Sequence, residues 1–157
     1  MKRMLYRMEL CNDDEGYTLP CSVEIRRYCA KRDHEAIRSV YGRSFGEPPW
    51  PLDWDRFDEF DANGAFIAED VGTAEVIGYV LSFRRRDYGY ISVVAVVPEY
   101  HRQGVGFALV GTAIRYLRGL SLRTIRIDVY VDATPAVNLY RKVGFRVETT
   151  FEDEEDE

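Results

Sequence analysis

The chain has 157 residues, 46% of them hydrophobic and 13% aromatic, which is enough for one domain with one core and excludes a disordered chain. Its net charge is −6, but residues 152–157 are all acidic, and without them 21 basic residues balance 21 acidic ones. A body with no basic excess argues against nucleic acid as the main partner, and no apolar stretch reaches the length of a membrane span.

The first half of the chain is predicted to contain strands, two helices and a hairpin. Alternating apolar and polar residues indicate strands over 4–10 and 22–28, and residues 12–16 between them have the composition of a turn. Asp33 is predicted to cap a helix with an apolar stripe, and three prolines within 48–51 require a loop that precedes a short amphipathic helix over 53–60. Residues 65–69 and 75–83 favour a β-hairpin.

The second half alternates strands and helices. Residues 90–97 form a β-branched run closed by proline, which indicates a buried strand, and apolar residues three and four apart predict a helix from Val105 onward. A strand over 124–131 follows, then a helix capped by Thr134 and ended by Gly144, then a last strand over 145–151. This order predicts an α/β fold: one domain over 1–151 with a mixed sheet and helices on both faces, followed by a solvated acidic tail.

The loop Arg102-Gln103-Gly104-Val105-Gly106 joins the central strand to the long helix. Its glycines allow a tight turn close to a ligand, and the first amides of the helix lack internal partners, so the loop is a candidate phosphate site. A dinucleotide-binding fold could use the same parts. Leu109, however, occupies the place of that motif's third glycine, and the unit lies past the middle of the chain.

Residues 96–106 resemble motif A of the GCN5-related N-acetyltransferases (GNAT), in which Gln/Arg-x-x-Gly-x-Gly/Ala follows a strand ending in Val-x-Pro. Val96-Val97-Pro98 and Gly104-Val105-Gly106 match this pattern, whereas His101 occupies the Gln/Arg position. The resemblance extends from about residue 22 to residue 145. It implies the acyl-CoA N-acyltransferase fold, with acetyl-CoA as cosubstrate and no metal. The cofactor-binding positions that it implies are Val94, Ala95 and Val96 for the pantetheine arm, and Arg102, Gln103, Gly104, Val105, Gly106 and Phe107 for the pyrophosphate.

Residues 127–145 resemble a stretch of the ribosomal-protein-type N-terminal α-acetyltransferases. This resemblance implies that Asp128 is the general base and Tyr140 the general acid. Ala133 replaces the motif's asparagine, and Asp128 is one methylene shorter than the motif's glutamate. A phenol with a pKa of ~10 can protonate a thiolate with a pKa of ~8.5 only when it is well positioned. Other interpretations stay open: a core tyrosine, a solvent-facing carboxylate, and a water chain or Glu99 as the base.

The resemblance implies direct transfer of an acetyl group to an amine without a covalent enzyme intermediate, and the best-matched acceptor is a protein or peptide N-terminal amine. A small amine or amino acid is the alternative acceptor. A non-catalytic acyl-CoA-binding module, with the acidic tail docked on a basic partner, is the alternative of another class. We expect a monomer or homodimer. The family usually ends with two strands where this chain has room for one, so the N-terminal extension, 1–21, is predicted to add a strand that covers the exposed edge.

The three cysteines, Cys11, Cys21 and Cys29, are odd in number and lack the spacing of a metal site. We therefore expect small buried thiols in a reducing cytoplasm. The N-terminal residues have no uninterrupted apolar core, which argues against a signal peptide. The expected location is the cytoplasm, with no membrane partner.

Overall fold

The computed structural model describes residues 3–11, 19–45 and 61–153. The predictions for the turn at 12–16, the proline loop and the helix over 53–60 lie outside these residues, as does the end of the acidic tail. The elements in chain order are β1 (Met4–Leu10), β2 (Val23–Arg27), α1 (Ala30–Phe45), β3 (Ala65–Asp70), β4 (Glu75–Arg85), β5 (Tyr88–Val96), α2 (Val105–Gly119), β6 (Ile125–Tyr130), α3 (Thr134–Val143) and β7 (Phe145–Glu152).

The strands form one seven-stranded sheet in the order β2-β3-β4-β5-β6-β1-β7. Neighbours run antiparallel except for β5 and β6, which are parallel, so the sheet is mixed as predicted. Leu109 of α2 packs against Gly78 of β4 on one face. The next residue, Tyr79, points to the other face, where Tyr41 of α1 lies near it. Helices therefore cover both faces, and this prediction is confirmed.

The main core lies between α2 and the sheet. The apolar stripe of α2 is fully buried, and it packs on strand residues whose β-branched side chains suit a pleated surface. The buried residues that form this layer include Leu109, Ile114, Leu117, Ile91, Ile125 and Ile127.

The residues that cap α1 and α3 differ from the predicted ones. The first helix, α1, begins at Ala30, and Asp33 lies in its first turn, where the carboxylate accepts the Cys29 N–H at 2.7 Å. Asp33 is almost fully buried, and Arg26 satisfies it with two bonds of 2.8 Å. In α3 the cap is Ala133 and Thr134 is the first helical residue, because the preceding turn already ends at Ala133. Gly144 ends α3 with a φ of 127°, as predicted.

The N-terminal strand forms, but its predicted place at the sheet edge is wrong. β1 lies inside the sheet and pairs antiparallel with β6 on one side and with β7 on the other. Met8 is fully buried, opposite Ile127 and Val147. Alternation along β1 predicts which face is apolar, but it carries no information on how many neighbours a strand has. Among the described strands, the edges of the sheet are β2 and β7.

Two further predictions need correction. All three cysteines are exposed, because they lie just outside β1 and at the two ends of β2, where no core covers them. The first residues of the acidic run belong to the fold and not to a solvated tail, since Glu152 is the last residue of β7. Asp153 accepts a bond of 2.6 Å from the Tyr130 hydroxyl, and its N–H donates to the Arg3 carbonyl. No helix among the described residues is long and apolar enough to cross a membrane.

Candidate active site

The two parallel strands at the centre of the sheet separate partway along their length. Their ladder contains only the pairs Gly89–Ile125, Tyr90–Arg126 and Ile91–Ile127. Beyond it, β5 continues to Val96 and β6 to Tyr130 without pairing to each other. We call the gap between 92–96 and 128–130 the fork. Backbone groups that point into it need partners other than a neighbouring strand, so the fork can accept a peptide-like ligand.

Backbone direction decides which residues of β5 line the fork. The Val97 N–H donates to the Ile77 carbonyl across the β4 edge at 2.9 Å. Because the direction of backbone groups alternates along an antiparallel pair, Ala95 also faces β4, whereas Val94 and Val96 face the fork. Of the three positions expected to hold the pantetheine arm, Val94 and Val96 therefore present backbone groups to it.

The Val96 carbonyl is held from two sides. Ser44, near the end of α1, donates its hydroxyl to this oxygen at 3.1 Å. The Nε2 atom of His101 lies 2.7 Å from the same oxygen and can donate to it. His101, which replaces the motif's Gln/Arg, therefore bonds back to β5. These contacts leave the Val94 N–H and C=O and the Val96 N–H for a ligand.

The glycine loop has the geometry that an anion site requires. Gly104 is the N-cap of α2 and adopts the left-handed conformation, with φ 83° and ψ 2°. The amides of Val105, Gly106 and Phe107 open the helix, where the dipole places positive potential. A Cβ atom on Gly106 would come within 3.1 Å of Leu139 in α3, so little room separates this loop from α3. The amino group of Lys142 lies 5.9 Å from the centre of the Phe107 ring and adds a cation beside the loop.

Tyr140 lies on α3, on the α2 side of the sheet. It is 6% exposed, and its ring contacts Phe145 in a T-shaped arrangement at 6.2 Å between centroids. Burial raises the pKa of Tyr140 above its usual value, so the phenol is protonated at neutral pH. The hydroxyl is a proton donor held by packing of its ring.

Asp128 lies on the opposite face of the sheet. Ile127 and Val129 fill the core on the α2 side, so strand alternation directs Asp128 away from it. Its side chain is only 13% exposed, which excludes an open solvent-facing carboxylate. Asp128 and Tyr140 therefore lie on opposite faces of the sheet.

Two residues that the sequence did not single out bind Asp128. The Arg7 Nε atom lies 3.3 Å from Oδ1, and the Tyr90 hydroxyl donates to Oδ2 at 2.9 Å. Burial raises the pKa of Tyr90, and the Asp128 charge adds to this effect. The polar faces of β1 and β5 contain both residues, but sequence alone does not indicate that β1 pairs with β6.

The alternative base, Glu99, lies in the turn after β5. It is 62% exposed and pairs with Arg43 at 2.8 Å. Within 3–11, 19–45 and 61–153, no group of three or more His, Cys, Asp or Glu side chains could hold a metal ion.

Known proteins resemble this chain in sequence. The model of the acetyltransferase (GNAT) family matches residues 34–145. A mycothiol acetyltransferase of Mycobacteroides abscessus is 32% identical over 160 residues, which cover 94% of this chain and 54% of the relative. The chain therefore spans about half the length of the curated relatives it matches.

Solved structures share the fold. A GCN5-related N-acetyltransferase from Sphaerobacter thermophilus aligns with a TM-score of 0.80 at 20% identity, over 96% of this chain and 50% of that one. The ribosomal-protein-S18-alanine N-acetyltransferase from Escherichia coli aligns with a TM-score of 0.66 at 22% identity, over 81% of this chain and 79% of that one.

Proposed function

The chain belongs to the acetyltransferase (GNAT) family, and we propose that it transfers the acetyl group of acetyl-CoA directly to an amine. The observation that carries this proposal is the fork, which opens beside a left-handed glycine turn at the start of α2. Acetyl-CoA is a thioester whose pyrophosphate matches the glycine turn. The amide groups along its pantetheine arm match the unpaired backbone of the fork.

The residues present fit acetyl-CoA. The amides of Val105, Gly106 and Phe107 would bind the pyrophosphate, and the flanking Arg102 and Gln103 complete the loop. The pantetheine arm would pair with the backbone of Val94 and Val96, as a peptide strand pairs with a sheet edge. The thioester would then lie at the narrow end of the fork, where the ladder ends at Ile91 and Ile127.

Two protons move during the transfer. The amine nitrogen forms a bond to the acetyl carbon, the carbon–sulfur bond breaks, and the amine loses a proton. We propose that Asp128 accepts that proton, directly or through a water molecule. Tyr140 donates a proton to the departing thiolate from the other face. The raised pKa of Tyr140 makes this donation adverse, so its effect depends on the placement of the hydroxyl.

We propose a small-molecule amine as the first acceptor class. It is favoured by the 32% identity, across nearly the whole chain, to a relative named for mycothiol. A protein or peptide N-terminal amine is the second candidate. It is favoured by residues 127–145, which keep the pattern of the N-terminal acetyltransferases at Leu139, Tyr140 and Gly144 and have a carboxylate, Asp128, in place of the motif's glutamate. The proposal includes a monomer or homodimer acting in the cytoplasm.

The test is an acceptor panel of small amines, amino acids and N-terminal peptides with purified chain and acetyl-CoA. Free CoA should be measured by chromatography, because the three exposed cysteines would react with a thiol reagent. Acceptor-dependent release of CoA supports an enzyme, and the class with the higher kcat/KM identifies the acceptor. Tight binding of acetyl-CoA with no release on any acceptor would instead support a non-catalytic acyl-CoA-binding module.

A further inference from the structure

We propose that Arg7 and Tyr90 are positioning residues for Asp128. Arg7 belongs to β1 and Tyr90 to β5, so strands on both sides of β6 hold the same carboxylate. The inference rests on the proposed acetyl transfer, in which Asp128 accepts the amine proton. It adds to that reaction a role for the N-terminal strand.

The location of Asp128 explains why its orientation matters. It is the first residue of β6 beyond the ladder with β5, which ends at the pair Ile91–Ile127. The carboxylate therefore lies where the two strands separate. Arg7 is directly opposite Asp128 in the β1–β6 register, and in an antiparallel pair such residues point to the same face.

Both donors are themselves fixed. The Arg7 guanidinium lies 4.8 Å from the centre of the Phe151 ring, on β7. The Tyr90 ring lies 5.6 Å from that of Phe83 and 6.5 Å from that of Tyr88. Because packing holds these side chains in place, little entropy is lost when they bind the carboxylate, and the bond directions are fixed before any ligand arrives.

Each oxygen of an ionised carboxylate can accept about two hydrogen bonds. Arg7 uses one acceptor site on Oδ1, and Tyr90 uses one on Oδ2. The remaining sites stay available for the proton of the amine. Arg7 and Tyr90 reach the two oxygens from different directions, so together they fix the plane of the group.

Other charged or titratable groups near Asp128 lie farther along the same face. Arg126 and Tyr130 flank it on β6, where Arg126 is 3.5 Å from Glu9 and Tyr130 bonds Asp153. Arg85 of β4 lies over the Tyr90 ring at 4.8 Å. Among the described residues, the side chains that bind the Asp128 carboxylate are Arg7 and Tyr90, so their removal should disturb its orientation most.

The test uses Arg7→Met, which keeps an apolar stem over Phe151, and Tyr90→Phe, which keeps the ring. Without Arg7 the carboxylate loses one of the two bonds that orient it, so acceptance of the amine proton should slow while the binding of acetyl-CoA is unaffected. For Arg7→Met we expect kcat to fall about tenfold, with the KM for acetyl-CoA within about twofold of the parent. For Tyr90→Phe we expect a lower kcat with the KM for acetyl-CoA within about twofold.

The matched control is Arg3→Met, since Arg3 is near β1 and lies over Tyr130 but contacts Asp132 and not Asp128. Its kcat should stay within about twofold of the parent. The proposal is overturned if the kcat of Arg7→Met also stays at the parent value, or if Arg3→Met lowers kcat equally. Thermal melts should show that each variant is folded.

A second measurement separates this inference from the proposed function. Carboxyl ¹³C NMR, with Asp128→Asn to assign the signal, reports the surroundings of the Asp128 carboxylate in the protein without ligand. Its chemical shift should change in Arg7→Met and stay at the parent value in Arg3→Met. An unchanged chemical shift in Arg7→Met overturns the positioning role even in an active enzyme. A parent that is inactive on every acceptor overturns acetyl transfer and leaves the NMR result to decide the contacts.

Discussion

The two sides of β6 differ in how completely they are paired. On one side β1 follows it through five pairs, from Leu5–Tyr130 to Glu9–Arg126. On the other side β5 leaves after three pairs. The backbone groups of β6 are therefore satisfied within the sheet on the β1 side and only partly so on the β5 side. Since unpaired buried backbone groups are costly, we propose that a ligand pairs with the backbone on the β5 side, while pairing on the β1 side stabilises the sheet.

This comparison predicts that mutations on the two sides have separable effects. Changes at the fork should alter binding or turnover with little effect on stability. Changes on the β1 side, away from Arg7, should alter stability with little effect on turnover.

The largest expected effect is that of Gly106→Glu. The new side chain would enter a space where even a Cβ atom lies 3.1 Å from Leu139, and its charge would oppose a phosphate at the helix start. Calorimetry should detect no binding of acetyl-CoA in a folded variant. Gly106→Ala, which adds the Cβ without the charge, is the control and should retain part of the affinity. Unchanged affinity in Gly106→Glu would show that the phosphate binds elsewhere.

On the β1 side of β6, Met8→Ala should destabilise the fold. Met8 is fully buried between β6 and β7, so its truncation leaves a cavity and should lower the free energy of unfolding by about 3 kcal/mol. Urea denaturation measures this loss. Met4→Ala is the matched control, because Met4 is 39% exposed and should change stability by less than about 0.5 kcal/mol. Equal effects of the two variants would contradict an interior position for β1.

Tyr140→Phe tests the chemistry proposed for the β5 side of β6 without disturbing packing. The ring and its contact with Phe145 remain, and only the hydroxyl is lost. We expect kcat to fall roughly 10²-fold, while the affinity for acetyl-CoA and the urea midpoint stay close to the parent values. If the variant keeps the parent's turnover, Tyr140 is not the general acid and has only a structural role in the core.

The smallest effect should come from Ser44→Ala, which removes one of the two groups on the Val96 carbonyl. With His101 still in place, the affinity for acetyl-CoA should fall only about two- to fivefold. Ser82→Ala is the control, because Ser82 donates to Gly64 at 2.8 Å and makes no contact with Val96. A larger loss in Ser82→Ala than in Ser44→Ala would contradict the assignment of Val96 to the fork.

Much of the fold was predictable because periodicity reports local geometry. The stripe of α2, the hairpin of β3 and β4, and Gly144 at the end of α3 all follow from residues close in sequence. The glycine loop was predictable in position, since Pro98 ends the strand and Gly104 starts the turn, whereas the fork was expected only from the family resemblance. Whether Asp128 and Tyr140 act as base and acid stays a prediction.

The partners of Asp128 could not be predicted, because they depend on pairing between distant strands. Arg7 and Asp128 are 121 residues apart, and alternation in β1 is equally compatible with an edge strand and an interior one. The exposed cysteines show the same limit. Cysteine is a residue type that is often buried, but these three are exposed because they lie at strand ends, outside the core.

The interior place of β1 also sets the order in which the sheet can be assembled during synthesis. Among the described strands, β1 is made before the others, and its two partners, β6 and β7, are made after the others. At about 5–20 residues per second, the 121 residues from Arg7 to Asp128 take roughly 6–24 s to translate. During that time β2 to β5 can pair without β1. The nascent chain therefore carries β1 without its native neighbours, and with Met8 outside its native core, until β6 is made.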